Sequence, residues 1–289
     1  MLKGTFNLDT LKTDNKNVVL DGTFNLQTLD AGWGSLTIPA GTTVRTRNLR
    51  GYNIKVLGTL IVTGNVDGSL EGITSSGSGK LQLPAPVLKV KTEKETETLY
   101  GKQDKWWNSL DEYIYLETKN YGGRIRAKSS SFKLVSVKSS NKKVLTAARA
   151  KSGSDGTLAC KVKLKKTGKA TVTLKLKHLS SGKTITYKKV YTVKKYANPI
   201  KTLKIGKKSL ASKFKSATYY GQGKKLSGKL QIKTKNGWKV ERIDLLGKSQ
   251  VLKNDLKSGT KITLKKGYTL EVTLTKKGWR QMNYSIYIY

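Results

Sequence analysis

The eight residues GTFNLDTL at positions 4–11 recur as GTFNLQTL at positions 22–29, with one residue changed. Further Gly-Thr pairs begin at Gly41 and Gly58, so the four pairs lie 18, 19 and 17 residues apart. A period near 18 with one glycine turn per repeat predicts a β-solenoid, in which each repeat is one coil of the chain. Because a single coil cannot bury its own apolar side chains, the coils must stack on one another.

The repeat also predicts which side chains stack. An apolar residue lies one or two positions after each Gly-Thr pair, and these residues form one candidate core column: Phe6, Phe24, Val44 and Leu60. At about 3.3 Å per residue, a coil has a perimeter of roughly 60 Å, which is enough for two or three short strands and their corners. The first coil has no capping segment before it, so we expect further coils to precede residue 1. A chance two-copy match inside a β-sandwich is the alternative.

Charge divides the chain into regions. The 289 residues include 57 Lys and Arg against 18 Asp and Glu, a formal net charge of +39. Residues 1–86 carry 8 basic and 6 acidic side chains, residues 87–198 carry 27 and 8, and residues 199–289 carry 22 and 4. The change falls near Pro84 and Pro86, and it predicts a nearly neutral solenoid over 1–86 followed by two cationic domains over 87–198 and 199–289.

Short strands with a two-residue period fill the cationic regions. They include CKVKLKK (160–166), ATVTLKLK (170–177) and TITYKKVYTVKK (184–195). Apolar residues alternate there with Lys or Thr, which predicts antiparallel strands with one buried face and one charged outer face. The turn signals SGSDG, KTGK and LSSGK separate the strands at short intervals, as in a sandwich. The segments WKVERIDLL, YTLEVTLT and YSIYIY predict a second sandwich over residues 199–289.

Two stretches carry a family resemblance. SSNKKVLTA (139–147) and GTLACKVKLKKTGKATVTLKLK (156–177) resemble the bacterial immunoglobulin-like domain, group 2, most strongly at GKATVTLK (168–175). The segment at 106–131 is longer than that family's pattern, and the resemblance is weaker for 199–289. The resemblance implies domains that space and display their neighbours at a cell surface and that have no family-wide catalytic residues. The predicted fold class is all-β, with a short β-solenoid of about four coils followed by two immunoglobulin-like β-sandwich domains.

The sequence offers little for catalysis. The single histidine, His178, ends a lysine-rich strand and is predicted to be a turn residue. Asp111 and Glu112 are adjacent, so on a strand they point to opposite faces and make a poor acid–base pair. The single cysteine, Cys160, excludes an intramolecular disulfide framework. We expect no enzyme activity, no catalytic residue and no cofactor.

Oxygen ligands for a metal are present but badly spaced. One group is Asn65, Asp67 and Glu71, and the other is Asp14, Asn15 and Asn17. Calcium prefers oxygen ligands of this kind, but neither spacing matches a calcium-binding loop. Because Asn, Asp and Gly are also ordinary turn residues, we expect no metal site.

An aromatic cluster lies in the segment KWWNSLDEYIYLE. It places four rings within ten residues, beside carboxylates: Trp106, Trp107, Tyr113 and Tyr115. Exposed rings would form flat platforms for sugars, whereas buried rings would fill the sandwich core. A carbohydrate-binding module is therefore the alternative function.

Lysine dominates the charge of the two cationic regions. Only 5 of the 49 basic residues after Pro86 are arginine. Proteins that read nucleic-acid sequence favour arginine, and single-strand binders interleave aromatic residues with the basic groove, so nucleic acid is a disfavoured partner. The predicted polyanion contacts are the alternating lysines Lys161, Lys163, Lys175 and Lys177. Diffuse lysine fits a solvated face or contact with the anionic polymers of a Gram-positive cell wall.

These features together predict a non-enzymatic structural and adhesive segment of a bacterial cell-surface protein. Its expected location is extracellular, at the cell surface or cell wall. Its expected partner is an anionic cell-wall polymer or a host or environmental glycan. No stretch approaches 18 apolar residues, so no membrane span is expected.

Overall fold

The computed structural model of the chain describes residues 1–68, 72–247 and 250–289, mostly as β-strands. Three regions follow one another along the chain: a solenoid, a first sandwich and a second sandwich. The predicted fold class is confirmed. Each region contains its own cluster of buried hydrophobic side chains, and the domain limits at residues 86 and 198 stay a prediction.

The solenoid consists of strands that pair only in parallel. Its strands are β1 (Leu2–Lys12), β2 (Val18–Ile38), β3 (Thr43–Val56), β4 (Thr59–Gly68), β5 (Ile73–Ser75) and β6 (Lys80–Gln82). Phe6 aligns with Phe24, Phe24 with Val44, and Val44 with Leu60. The predicted core column is therefore confirmed, and the ring centroids of Phe6 and Phe24 lie 5.0 Å apart. Because the strands are in register, like side chains stack above one another, as in an asparagine pair where Asn25 Nδ2 donates to Asn7 Oδ1 at 2.8 Å.

Two of the four Gly-Thr glycines lie inside strands rather than at turns, which differs from the prediction. Gly4 and Gly22 are register partners in β1 and β2, with φ of 133° and 125°. A Cβ at Gly22 would lie 2.1 Å from the carbonyl oxygen of Gly4. The repeated glycine thus permits close approach of two coils in a backbone conformation that other residues rarely adopt.

The first sandwich has nine strands. They are β7 (Thr92–Leu99), β8 (Ser109–Tyr113), β9 (Tyr115–Glu117), β10 (Arg124–Arg126), β11 (Phe132–Ser139), β12 (Leu145–Ala150), β13 (Ala159–Leu164), β14 (Gly168–His178) and β15 (Thr184–Lys195). One sheet has the order β12-β13-β8 and the other β11-β14-β15-β7, with β7 parallel to β15. When the hairpin β9–β10 is left out, seven strands remain, and the third, sixth and seventh of them (β11, β14 and β15) form one sheet, as in the immunoglobulin fold. The first strand, β7, lies at the edge of this sheet and not beside β8. A 3₁₀ helix at Lys102–Asn108 and the hairpin β9–β10 account for the long segment before β11.

The second sandwich repeats this plan. Its strands are β16 (Ile200–Ile205), β17 (Lys208–Ser209), β18 (Tyr219–Gln222), β19 (Leu226–Thr234), β20 (Lys239–Leu246), β21 (Val251–Lys253), β22 (Lys261–Leu264), β23 (Thr269–Thr275) and β24 (Met282–Ile288), with a 3₁₀ helix at Ala211–Phe214. The sheets are β17-β16-β19-β22 and β18-β24-β23-β20-β21. Tyr284, Ile286 and Ile288 are all buried on one face of β24, as the two-residue period predicted.

The sandwiches are joined by backbone hydrogen bonds as well as by the chain. The amide of Thr96 in β7 donates to the carbonyl of Gly278 at 2.7 Å, and the amide of Arg280 donates to the carbonyl of Thr96 at 3.0 Å. The amide of Thr218 donates to Oδ2 of the buried Asp104 at 2.6 Å. The outer edge of β7 is therefore bonded to the second sandwich.

Candidate functional site

One outer face of the first sandwich carries a single sign of charge. On the sheet β11-β14-β15-β7, the side chains that point away from the core are mainly Lys and Thr. We call this surface the lysine face, and its eight lysines are all exposed: Lys94, Lys133, Lys138, Lys169, Lys175, Lys177, Lys188 and Lys194. The three glutamates of β7 alternate with its outward residues and point to the other side. In the part of the chain that the structure describes, no Asp or Glu of these four strands points outward on this face.

The four lysines predicted from the sequence are divided between opposite faces. Lys175 and Lys177 on β14 belong to the lysine face. Lys161 and Lys163 on β13 are also exposed, but they lie on the outer face of the other sheet. There Lys161 pairs with Asp111 at 3.7 Å, and Lys163 aligns with Ser109 and Thr146. The two pairs therefore cannot contact one ligand surface together.

The spacing of the lysine face makes its charges act jointly. Alternate residues on a strand lie about 7 Å apart and neighbouring strands about 4.8 Å apart. These distances are shorter than the screening length of about 8 Å at physiological ionic strength, so the potentials of neighbouring ammonium groups add. The face is suited to a flexible polyanion, and it lacks the arginine forks that read planar groups in a defined geometry.

Three of the four rings of the aromatic cluster are exposed. Trp106, Trp107 and Tyr113 are 52%, 48% and 49% exposed, so the interpretation that they fill the core is wrong. Trp106 leans on Tyr219 of the second sandwich with ring centroids 5.9 Å apart, and Arg124 lies 4.4 Å over the half-buried ring of Tyr115. Trp107 lines a cleft of about 450 Å³ between the two sandwiches. The four rings thus face different surroundings and do not form one platform.

A second cleft, of about 280 Å³, contains a cluster of charged groups from both sandwiches. Arg280 donates from Nε to Glu97 at 2.7 Å and from an η nitrogen to Glu112, and it lies 3.5 Å from Glu95. Lys189 Nζ lies 2.6 Å from Glu95 and 3.1 Å from Glu112. The carboxylate oxygens of the three glutamates lie within 4.8 Å of one another, but two protein cations already neutralise most of their charge. The cluster therefore joins the two sandwiches through ion pairs.

Burial sets the ionisation of this cluster. Burial raises the pKa of Glu97, with the neighbouring Glu95 and Glu112 acting in the same direction and Arg280 opposing them, to about 7. For Glu95, burial acts to raise the pKa, but Lys189 and Arg280 outweigh it and the pKa is lowered. The acidic partners hold the pKa of Lys189 above its ordinary value although burial opposes this. At neutral pH, Glu97 is therefore near the midpoint of its titration.

The other residues considered for catalysis, His178, Asp111 and Glu112, lie in surroundings that fit a structural role. His178 is buried at the end of β14, with Nδ1 2.8 Å from Ser181 Oγ and its ring against Phe132, and burial lowers its pKa. Asp111 is exposed while Glu112 is half-buried in the joint, which agrees with the expected opposite directions.

Three of the metal-ligand candidates make hydrogen bonds to the neighbouring coil. Asn65 donates from Nδ2 to Asn48 at 3.1 Å, and Asn15 and Asn17 accept hydrogen bonds from backbone amides. Glu71 lies outside the described residues. Among the described helices, none is long and apolar enough to cross a membrane.

Comparison with known proteins gives no family assignment. No family model matches the chain, and no curated protein matches it. The resemblance to the bacterial immunoglobulin-like domain, group 2, therefore stays a prediction.

Among solved structures, similar β-domains are found at low identity. Fibronectin(III)-like modules of Clostridium thermocellum CbhA are 14% identical with a TM-score of 0.27, over 70% of this chain and 93% of theirs. Extracellular cadherin domains 1–5 of protocadherin gamma B2 are 12% identical with a TM-score of 0.25, over 74% of this chain. This chain spans 40% of the length of that protocadherin structure. At these TM-scores, the immunoglobulin-like assignment rests on the strand order of the sheets themselves.

Proposed function

We propose that the chain is a non-enzymatic structural and adhesive segment of a bacterial surface protein, and that its first sandwich binds anionic cell-wall polymers through the lysine face. The observation that carries the proposal is the single sign of this face, with eight exposed lysines on four adjacent strands and every glutamate of β7 turned away from it. A solvated surface of mixed charge would pair many of its lysines, as Lys161 pairs with Asp111 on the opposite face.

Binding of this kind is driven by release of counterions. Each lysine that neutralises a charge on a flexible polyanion contributes about 0.7 to the slope of log affinity against log salt concentration. The alternating Lys and Thr pattern offers point charges without fixed hydrogen-bond geometry, so it favours a repeating polymer over a unique small ligand. We therefore propose an extracellular location where such polymers are abundant, and no catalytic role.

The architecture supports a spacer role. Immunoglobulin-like sandwiches are shared by many cell-surface domains, and here two of them follow a solenoid in one chain. Net positive charge is concentrated in the sandwiches and small in the solenoid. This distribution supports separate roles, in which the sandwiches contact the wall and the solenoid extends beyond it.

The test is retention of the full chain on purified Gram-positive cell walls between about 50 and 500 mM salt, a range over which polyanion contacts weaken steeply. Lys175→Gln/Lys177→Gln on the lysine face is compared with Lys161→Gln/Lys163→Gln on the opposite face. Both variants lose the same net charge from the same domain. We expect the first to lower the salt slope by about 1 to 2 and the second to leave it nearly unchanged.

Equal losses from the two double variants would overturn the proposal, because they would show that only total charge matters. Retention that survives both high salt and removal of the anionic polymers, but is lost in Trp107→Ala, would instead favour the carbohydrate-binding alternative. Trp107 is exposed beside the cleft between the sandwiches, and this observation favours carbohydrate binding as the second candidate function.

A further inference from the structure

The most exposed tryptophan of the described residues lies on the solenoid and not on the lysine face. Trp33 is 71% exposed. One face of its ring stacks on Tyr52 of the next coil, with centroids 3.9 Å apart and an interplanar angle of 5°. Because one face is covered and so much of the ring is still exposed, the opposite face is open to solvent. Two aromatic rings stacked outside a hydrophobic core bury little apolar area, so core packing does not account for them.

The loop of the preceding coil, which contains Asp14 and Asn15, packs closely against the backbone at Trp33. Asn15 occupies the position one coil before Trp33, and its Oδ1 accepts a hydrogen bond from the Trp33 amide at 2.8 Å. Asp14 and Asn15 have φ of 48° and 64°, a backbone conformation that holds the loop in a tight turn. A Cβ on Gly32 would lie 2.1 Å from Asn15 Oδ1, so glycine is needed for the loop to approach this closely.

The turn leaves a small polar cleft next to the ring. Its volume is about 290 Å³, and its lining residues are Lys12, Asp14, Asn15, Asp30, Gly32, Trp33 and Arg50. Arg50 lies 3.6 Å from Asp30, and Asp30 Oδ1 accepts from the Gly32 amide at 3.0 Å, so the floor of the cleft is fixed by protein contacts. Two acidic and two basic side chains surround the cleft, which makes it nearly neutral overall.

We propose that this cleft binds one neutral pyranose unit of a polysaccharide. The stack of Tyr52 and Trp33 is not continued by an aromatic ring in the preceding coil, where the corresponding residue is Asn15 and the cleft lies beside it. A pyranose ring in this cleft lies with its apolar C–H face on Trp33. Its hydroxyl groups then reach carboxylate acceptors in Asp14 and Asp30 and donors in Lys12 and Arg50.

The balance of charge selects the class of ligand. An anionic polymer would meet two carboxylates at this cleft, whereas neutral hydroxyl groups use acceptors and donors equally well. The affinity should therefore depend little on salt, unlike that of the lysine face. The inference is independent of the proposed function, because it concerns another region, another ligand class and another driving force.

The experiment labels the five tryptophans with 5-fluorotryptophan and follows their ¹⁹F resonances, assigned by single Trp→Phe variants, in the full chain. The probes are cellohexaose, chitohexaose and mannohexaose at up to about 10 mM. We expect at least one hexasaccharide to shift the Trp33 resonance, with the same dissociation constant within about twofold at 50 and 500 mM salt. Trp33→Ala should weaken binding of that probe at least about tenfold, measured by calorimetry.

Matched variants separate this site from the aromatic cluster. Trp106→Ala removes a ring that is also exposed and should leave binding unchanged, and Trp33→Phe should retain part of the affinity. Because Trp33 is largely outside the core, its variants are expected to melt at the wild-type temperature. No response of Trp33 to any of the three probes, unchanged affinity in Trp33→Ala, or a response only to an anionic probe such as dextran sulfate would each overturn the proposal.

Discussion

Glu97 is one of the few carboxylates of this cationic chain, and it forms an ion pair between the two sandwiches. Its side chain is 3% exposed and accepts a hydrogen bond from Arg280, a residue of the other sandwich. Three of the 18 acidic residues of the chain meet at this joint, where they hold two cations. Since a buried charge is tolerated only when it is paired, the position of Glu97 fixes that of Arg280.

The pKa of Glu97 gives a pH dependence with a definite sign. A carboxyl group whose pKa is about 7 when folded and near 4.5 when unfolded stabilises the fold below about pH 4.5, and this contribution is lost as the pH rises through 7. In wild type the free energy of unfolding should therefore include a loss on the order of 2 kcal/mol between pH 5 and 8. Glu97→Gln is neutral at every pH and should lack this loss.

Denaturant unfolding at several pH values measures the difference. Glu241→Gln, at an exposed position of β20, is the matched control and should keep the wild-type profile. A wild-type chain that instead loses stability on acidification from pH 7 to 5, with Glu97→Gln correcting it, would contradict the raised pKa.

At the scale of elements, the solenoid depends on in-register stacking of successive coils. β1 is the outermost described strand and is mostly exposed, so its attachment to β2 rests on the backbone ladder and on a few side-chain contacts, among them that of Phe6 with Phe24. Gly22 lies within this ladder, directly beside Gly4. Close approach of the two backbones at this point is what a side chain would prevent.

Gly22→Ala is accordingly expected to release β1 while the later coils stay folded. The added methyl group would meet Gly4 O at 2.1 Å, and a φ of 125° is strained for alanine. Hydrogen exchange of the amides in residues 2–12 should accelerate at least about tenfold, which corresponds to about 1.4 kcal/mol of local stability. Gly41→Ala is the control, since it also has positive φ but meets nothing within 4 Å, and it should leave exchange in β1 unchanged.

Most elements could be predicted from the sequence, because their signals are local. The 18-residue repeat gave the column from Phe6 to Leu60, and alternation gave β13, β14, β15 and β24. The division of the lysines was missed, since periodicity shows which residues share a strand face but not which sheet a strand joins. Strand β7, TEKETETL, was also missed, because its inner side is occupied by glutamates whose partners Lys189 and Arg280 are distant in sequence.

The candidate surfaces were predictable only in part. Four rings were identified at 106–115 from their density, but Trp33 stands alone between two glycines and gains its significance from Tyr52, one coil later. Lys175 and Lys177 were correctly expected to be exposed, whereas the absence of outward carboxylates around them depends on long-range strand pairing. A single sequence does not show which distant strands pair, and therefore does not show which side chains share a sheet face.

At the scale of the whole molecule, Arg280 fixes the second sandwich to the first. Its guanidinium group contacts three glutamates of the first sandwich, and its backbone amide bonds to Thr96. The arginine fork suits this role because it reaches several carboxylates from one rigid group. The joint therefore resists both bending and rotation between the sandwiches.

Arg280→Ala should loosen the joint without unfolding either sandwich. Removal of one partner leaves Glu97 buried without its hydrogen-bond donor, at a cost of about 1 to 3 kcal/mol to the contact between sandwiches. Small-angle scattering should show a broader distribution of lengths, and the interdomain amide of Thr96 should exchange faster. Arg242→Ala removes an arginine that pairs within the second sandwich, with Asp244, and should change neither measurement.

The parallel pairing of β7 with β15 has a mechanical consequence. Since both strands run the same way, the chain enters the first sandwich at one end of this pair and leaves it at the other, across eight aligned positions. Tension along the chain therefore pulls β7 and β15 past each other and loads all the ladder hydrogen bonds together, in shear, instead of opening them one at a time. In the second sandwich the last strand also has a parallel partner, β18, but the chain enters that sandwich earlier, through β16. The first sandwich is therefore the one built to transmit force along the chain while keeping its length.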